Sequence, residues 1–143
     1  MALYATDAER AYLGALLIQS SAGWAPERTL SPDLFYQSEI ADALRAYATL
    51  RGQGRPTNEI AVAQLTGNDA ILRECISETV NSQALDDYAE QVREAARRRR
   101  LDAEGQELRR LAAHDTADLD RELPLRADRI ASLRRQTTVD DVA

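Results

Sequence analysis

The sequence predicts an all-α protein, a compact globule of short helices followed by a C-terminal helical hairpin. Two observations carry that prediction. Apolar residues recur at three- and four-residue spacing along most of the 143 residues, the period of a helix with one buried face. Strand signals are missing: valine is scarce, Phe and Trp occur once each, and no clean apolar–polar alternation is present.

The first helix opens near Thr6, with Glu9 three residues on, the spacing of a capping box. Leu13, Leu16 and Leu17 form its apolar face and Tyr12 lies at the edge. A loop follows through Ser20, Ser21 and Gly23 to Trp24 and Pro26. Ser31 and Pro32 read as an N-cap and a first-turn proline before Leu34 and Phe35. A helix over residues 38–51 carries Ile40, Ala43, Leu44, Tyr47 and Leu50 in one stripe. Gly52, Gly54 and Pro56 end it. Thr57 is positioned to cap a short helix with Ile60, Val62 and Leu65. Asn68 or Asp69 caps another with Ile71, Leu72, Cys75 and Ile76. Residues 1–80 form the globule.

The second half differs. Residues 82–113 read as one helix, and a turn at His114, Asp115 and Thr116 leads to a last helix. Leu119, Leu123, Ala127, Ile130 and Leu133 share a register there, and Pro124 either kinks this helix or marks its first turn. Residues 81–136 thus form a hairpin, and 137–143 a flexible tail. The long helix changes face. Leu85, Tyr88, Val92, Ala95 and Ala96 cluster on one side at 100° per residue, whereas Leu101, Leu108 and Ala112, with Gly105 among them, lie roughly opposite. The first set packs on the globule; the second needs the last helix and another subunit to cover it. Gly105 costs about 1 kcal/mol of helix propensity against Ala. It is either a tolerated weak spot or a point where another helix comes close. Arg97, Arg98, Arg99 and Arg100 fall where the face changes. They form a solvated collar paired with Glu94, Asp102 and Glu104, bind carboxylates of a partner chain, or touch phosphates.

Composition excludes several chemistries. The chain has no lysine, and its net charge is −6. A P-loop requires a lysine on the β/γ-phosphates, and Schiff-base catalysis requires one as nucleophile. One cysteine and one histidine leave no intramolecular disulfide and no cysteine-based zinc site, and a Cys/His metal site would need several carboxylates to complete it. The acidic balance opposes a dedicated nucleic-acid coat. No apolar run reaches the roughly 20 residues of a membrane span, and no signal peptide is present. A soluble, cytoplasmic, non-enzymatic protein without cofactor or metal is expected. Cys75 reads as a small buried hydrophobe, Glu9 as half of the capping box, and His114 as solvent-facing.

Several segments, in order, resemble the N-terminal domain of DnaB-type replicative helicases. They are Asp7-Ala-Glu-Arg-Ala-Tyr-Leu-Gly-Ala-Leu-Leu, Leu30-Ser-Pro-Asp-Leu-Phe-Tyr, Gly54-Arg-Pro and the stretch at 62–65. Ile71-Leu-Arg-Glu-Cys-Ile, Asp87-Tyr-Ala-Glu-Gln-Val-Arg-Glu and Arg99-Arg-Leu complete the set. Ile40 and Asn58 stand where the family often has His and Asp, and the family's proline near Asn81 is absent. The resemblance implies a helical globule with a hairpin that pairs between subunits, the pairs assembling into a ring. It implies docking of primase, and of a helicase or loader protein, with ATP hydrolysis residing in a separate C-terminal domain. A stand-alone or truncated relative without that ATPase domain is expected. The alternatives are a diverged regulator that keeps the fold but not the partners, or an arginine-mediated nucleic-acid binder. Candidate contacts with itself (a homodimer or higher ring) or with a partner are Tyr88, Arg99, Leu101, Gly105, Leu108, Ala112, Ile130 and Leu133.

Overall fold

The computed structural model describes residues 3–24, 26 and 28–134; the expected tail at 137–143 lies outside them. The described residues form six α-helices and one 3-10 turn, with no strand. In order they are α1 (Thr6–Ser21), the turn (Pro32–Leu34), α2 (Ser38–Gly52), α3 (Glu59–Thr66), α4 (Asp69–Glu78), α5 (Leu85–Ala113) and α6 (Leu119–Ser132).

Helix α1 is the centre of the globule, packed against α4, α5 and α2. Leu13, Leu16 and Leu17 are wholly buried, with Ile40, Tyr47 and Leu50 of α2 and Leu72 and Cys75 of α4. Each such side chain contributes about 1.5–3 kcal/mol by leaving water. Tyr12 is not at an edge but in the core. Its hydroxyl can be buried because it accepts the Leu30 backbone N–H at 3.0 Å. The same core takes in Leu85, Ala89, Val92 and Ala96 of α5. The long helix therefore belongs to the globule up to its arginines.

The expected capping box does not form. Ala5, not Thr6, is the N-cap of α1, and no side chain caps that end. Glu9 sits one turn into the helix, wholly buried. Its carboxylate accepts the backbone N–H groups of Tyr36 at 2.8 Å and Gln37 at 3.0 Å, and the Gln37 side-chain amide at 3.3 Å. Gln37 is the N-cap of α2 and offers no side-chain cap of its own. Glu9 thus caps α2 from another helix, its charge placed against the positive end of the α2 dipole.

Gly14 marks the crossing of α1 and α4. A Cβ there would collide with the Cys75 carbonyl and the Thr79 hydroxyl. The smaller helices follow their caps, with one shift. Ser31 caps the 3-10 turn, and Asn68 caps α4. Asn58 rather than Thr57 caps α3, accepting the Ala61 N–H at 2.9 Å; the Thr57 hydroxyl instead meets Ser20 Oγ. Of the apolar residues expected to bury α3, only Val62 does so, while Ile60 and Leu65 are exposed. A helix of eight residues offers little more than one buried position at this shallow contact. Pro124 lies six residues into α6, so it does not mark the first turn. The helix continues through it even though proline cannot donate to the Asp120 carbonyl.

A candidate interaction face on the helical hairpin

Beyond Arg100 no described residue of α5 belongs to the globule core, and α6 packs against the helix. Arg99 marks the departure. Its guanidinium donates to the Leu34 carbonyl at 2.8 Å and the Leu3 carbonyl at 3.0 Å. It also lies over the rings of Tyr4 and Tyr36, 5.9 and 5.8 Å from their centroids. Arg99 is therefore used inside the chain, clamping α5 to the N-terminal lead and to the end of the 3-10 turn. Tyr88, half-buried, packs against the globule core. Both of these expected contact residues make contacts within the chain. The rest of the collar divides. Arg97 and Arg98 both reach Glu94, at 2.8 and 3.2 Å, and Arg100 is exposed. The other two expected acids do not serve the collar, since Asp102 accepts from Gln106 and Glu104 faces α6.

The hairpin seam is polar. Arg126 of α6 reaches Glu104 at 3.2 Å and Glu107 at 3.4 Å, with Glu122 at 4.0 Å on its own helix. The Arg126 and Glu104 side chains each keep only 15% exposure. Arg110, bonded to Glu107, holds that carboxyl below the usual carboxylate range. Leu111 is the seam's one fully buried apolar residue, and Leu108, Ile130 and Leu133 are half-buried. No residue of α6 is buried.

Most of the apolar side chains left over share one flank, whereas Leu125, 49% exposed, lies on the opposite side of α6. Glu104, Glu107, Leu108 and Leu111 turn α5 toward α6; a 100° step then puts Leu101, Gly105 and Ala112 about a quarter-turn to one side. On α6, Glu122, Arg126, Ile130 and Leu133 face α5, with Leu119 at the same angle in the first turn of the helix, and Leu123 and Ala127 lie to one side. The helices run antiparallel, which reverses the sense of rotation and brings both sets onto the same face. Leu101 is 52% exposed, Leu119 45% and Leu123 48%. Gly105 is half-buried and Ala112 exposed. Of the expected contact residues, Leu101, Gly105 and Ala112 thus gather on this face, Leu108, Ile130 and Leu133 line the seam beside it, and Tyr88 and Arg99 stay on the globule. The sequence reading missed Leu119 and Leu123 as surface residues, Leu111 as the buried one, and the Glu104–Arg126 seam. A lone arginine set in the apolar register between Leu123 and Ile130 was the signal for that seam.

Such a molecule is a helical globule carrying a protruding hairpin with an uncovered apolar flank, the outline of an interaction domain. Residues 1–94 match the model of the DnaB-like helicase N terminal domain, and the chain belongs to that family. It is 30% identical over 131 residues to the replicative DNA helicase DnaB of Nostoc sp. (strain PCC 7120 / SAG 25.82 / UTEX 2576), covering 85% of this chain and 14% of that protein. The chain thus spans a small part of its relative's length. Its fold matches the crystal structure of the N-terminal domain of DnaB helicase from Mycobacterium tuberculosis, with a TM-score of 0.73 and 24% identity. That match covers 92% of this chain and 99% of the other.

Proposed function

We propose that the chain is a non-catalytic dimerisation and docking module of the DNA replication helicase (primosome) machinery, working in the cytoplasm. Within the hairpin of residues 81–136, the part beyond Arg100 is its pairing unit, and primase, helicase or a loader protein is its partner. Family membership supports the setting. The observation that carries the pairing is that α6 buries none of its residues while Leu101 and Leu123 share a face with it. A 14-residue helix with no buried anchor is marginal alone in water, and an apolar flank of this kind marks an interaction site. Two copies laid face to face cover both deficits at once. Both signs of charge border the face, with Arg98, Asp102 and Arg109 on α5 and Asp120 on α6.

The docking part is tested by immobilising the protein and adding the primase, helicase and loader of the same organism. Retention of one of them, lost in Leu101→Asp and Leu123→Asp, is the expected result. Retention of none of the three refutes the docking role.

A further inference from the structure

We infer that α6 is a detachable arm, fastened to α5 by charge, which comes off as a unit while the globule stays folded. The fastening lies within one chain and is independent of any docking partner. The core that holds the globule reaches Ala96 of α5 and includes no residue of α6. Toward α6, α5 offers one fully buried apolar side chain, Leu111, with Leu108 half-buried, and α6 answers with half-buried Ile130 and Leu133. Charge makes the remaining contacts across the seam. Arg126 reaches Glu104 and Glu107, and Arg129 reaches Glu104 at 4.0 Å. The Glu107 carboxyl, held low first by Arg110, also feels Arg126 and Arg129 from the other helix.

Such a seam holds weakly. A guanidinium taken out of water is compensated only where acceptors meet its donors, and the buried Nε of Arg126 finds no acceptor among the described residues. Arg129 is 61% exposed, so its pair lies largely in solvent, where an ion pair contributes little. The backbone of α6 adds no security. A helix of 14 residues is marginal alone in water, and Pro124 has no N–H for the Asp120 carbonyl. Elements with few buried apolar contacts open first, so α6 opens at less cost than any helix of the globule. Arg126 sets that cost. Without its charge, Glu104 and Glu107 of α5 confront Glu122 of α6, and like charges drive the two helices apart.

Amide hydrogen exchange of the wild type, Arg126→Met and Glu104→Gln, read by mass spectrometry, is the test, with α1 as the internal standard. In the wild type, residues 119–132 should exchange at least about tenfold faster than α1 after correction for intrinsic rates. Raising NaCl from about 0.1 M to about 1 M shortens the Debye length from about 10 Å to about 3 Å. Exchange in α6 should then quicken severalfold while α1 is unmoved, a response that an apolar seam would not give. Arg126→Met keeps the bulk of the stem and should leave α6 nearly unprotected, with α1 as in the wild type. Glu104→Gln, which leaves Glu107 and Glu122 for Arg126, falls between. An α6 that opens only together with α1, that ignores salt, or that is as protected in Arg126→Met as in the wild type overturns the proposal. So does a loss of α1 protection alongside α6 in Arg126→Met.

Discussion

Glu9 shows what a single buried charge does in this fold. Its carboxylate holds the two N–H groups that open α2, and nothing else in that turn caps them. Replacing it with alanine strands both donors in the interior, a loss of about 2–4 kcal/mol judged from the penalty for unpaired buried groups. Urea denaturation checks this; Glu9→Gln, which keeps one acceptor oxygen, falls between the two. Tyr12 and Cys75 link stability to pH at the alkaline end. Burial pushes the Tyr12 hydroxyl up to about 12 and the Cys75 thiol up to about 11. The folded state thus favours the protonated, neutral forms. Their contribution is complete below the unfolded thiol value near 9 and is lost as pH rises through the folded values. Melting temperature should hold from pH 7 to about 9, then fall between about 9 and 12. In Cys75→Ala the early part of that fall should be reduced. Periodicity marks Glu9 as lying near the Leu face of α1, but its partners are backbone groups 27 and 28 residues away. Only the fold brings those into reach, so the local capping box was the natural and mistaken reading.

At the scale of elements, two joints decide the geometry. The first is the α1–α4 crossing at Gly14, where Gly14→Ala forces the helices apart and costs about 1–3 kcal/mol, in the range for overpacked cores; calorimetry measures it. The second is the Arg99 clamp. Arg99→Ala removes two hydrogen bonds to carbonyls and two ring contacts. Faster amide exchange is expected at residues 3–5 and 34–37 and in the middle of α5, and Arg99→Lys should not restore protection, since a point charge cannot replace the planar fork. Unchanged exchange in Arg99→Ala shows that the clamp carries no stability. The helices themselves were legible in the sequence, because α2, α4 and α5 each have a strong stripe and recognisable ends. Where reading failed, the signal was tertiary. Ile60 and Leu65 look like core residues but occupy a short helix with one buried position. Tyr12 is amphipathic and goes inside only because Leu30 supplies a donor. The contacts of Arg99 with Leu3, Tyr4 and Leu34 were out of reach of periodicity, because residues more than 60 positions away supply them.

Across the whole molecule, the globule and the hairpin are stabilised in different ways. The globule has a continuous apolar core from α1 through the first half of α5. The hairpin has a polar seam, one buried leucine on α5, and a partner helix with no buried residue. The change of face along α5 was visible in the sequence as two stripes roughly half a turn apart. That the second stripe splits between a seam and an open flank was not, because the register of α6 against α5 depends on Arg126 finding Glu104 and Glu107. The central claim is that this open flank pairs two copies of the chain. Size-exclusion chromatography with light scattering, at tens of micromolar protein, tests it most directly. A mass near twice the 15.9 kDa of the chain, or a higher even multiple, falling to a single chain in Leu101→Asp/Leu123→Asp, is the predicted result. A wild type that remains a single chain, or a double variant that still pairs, contradicts it.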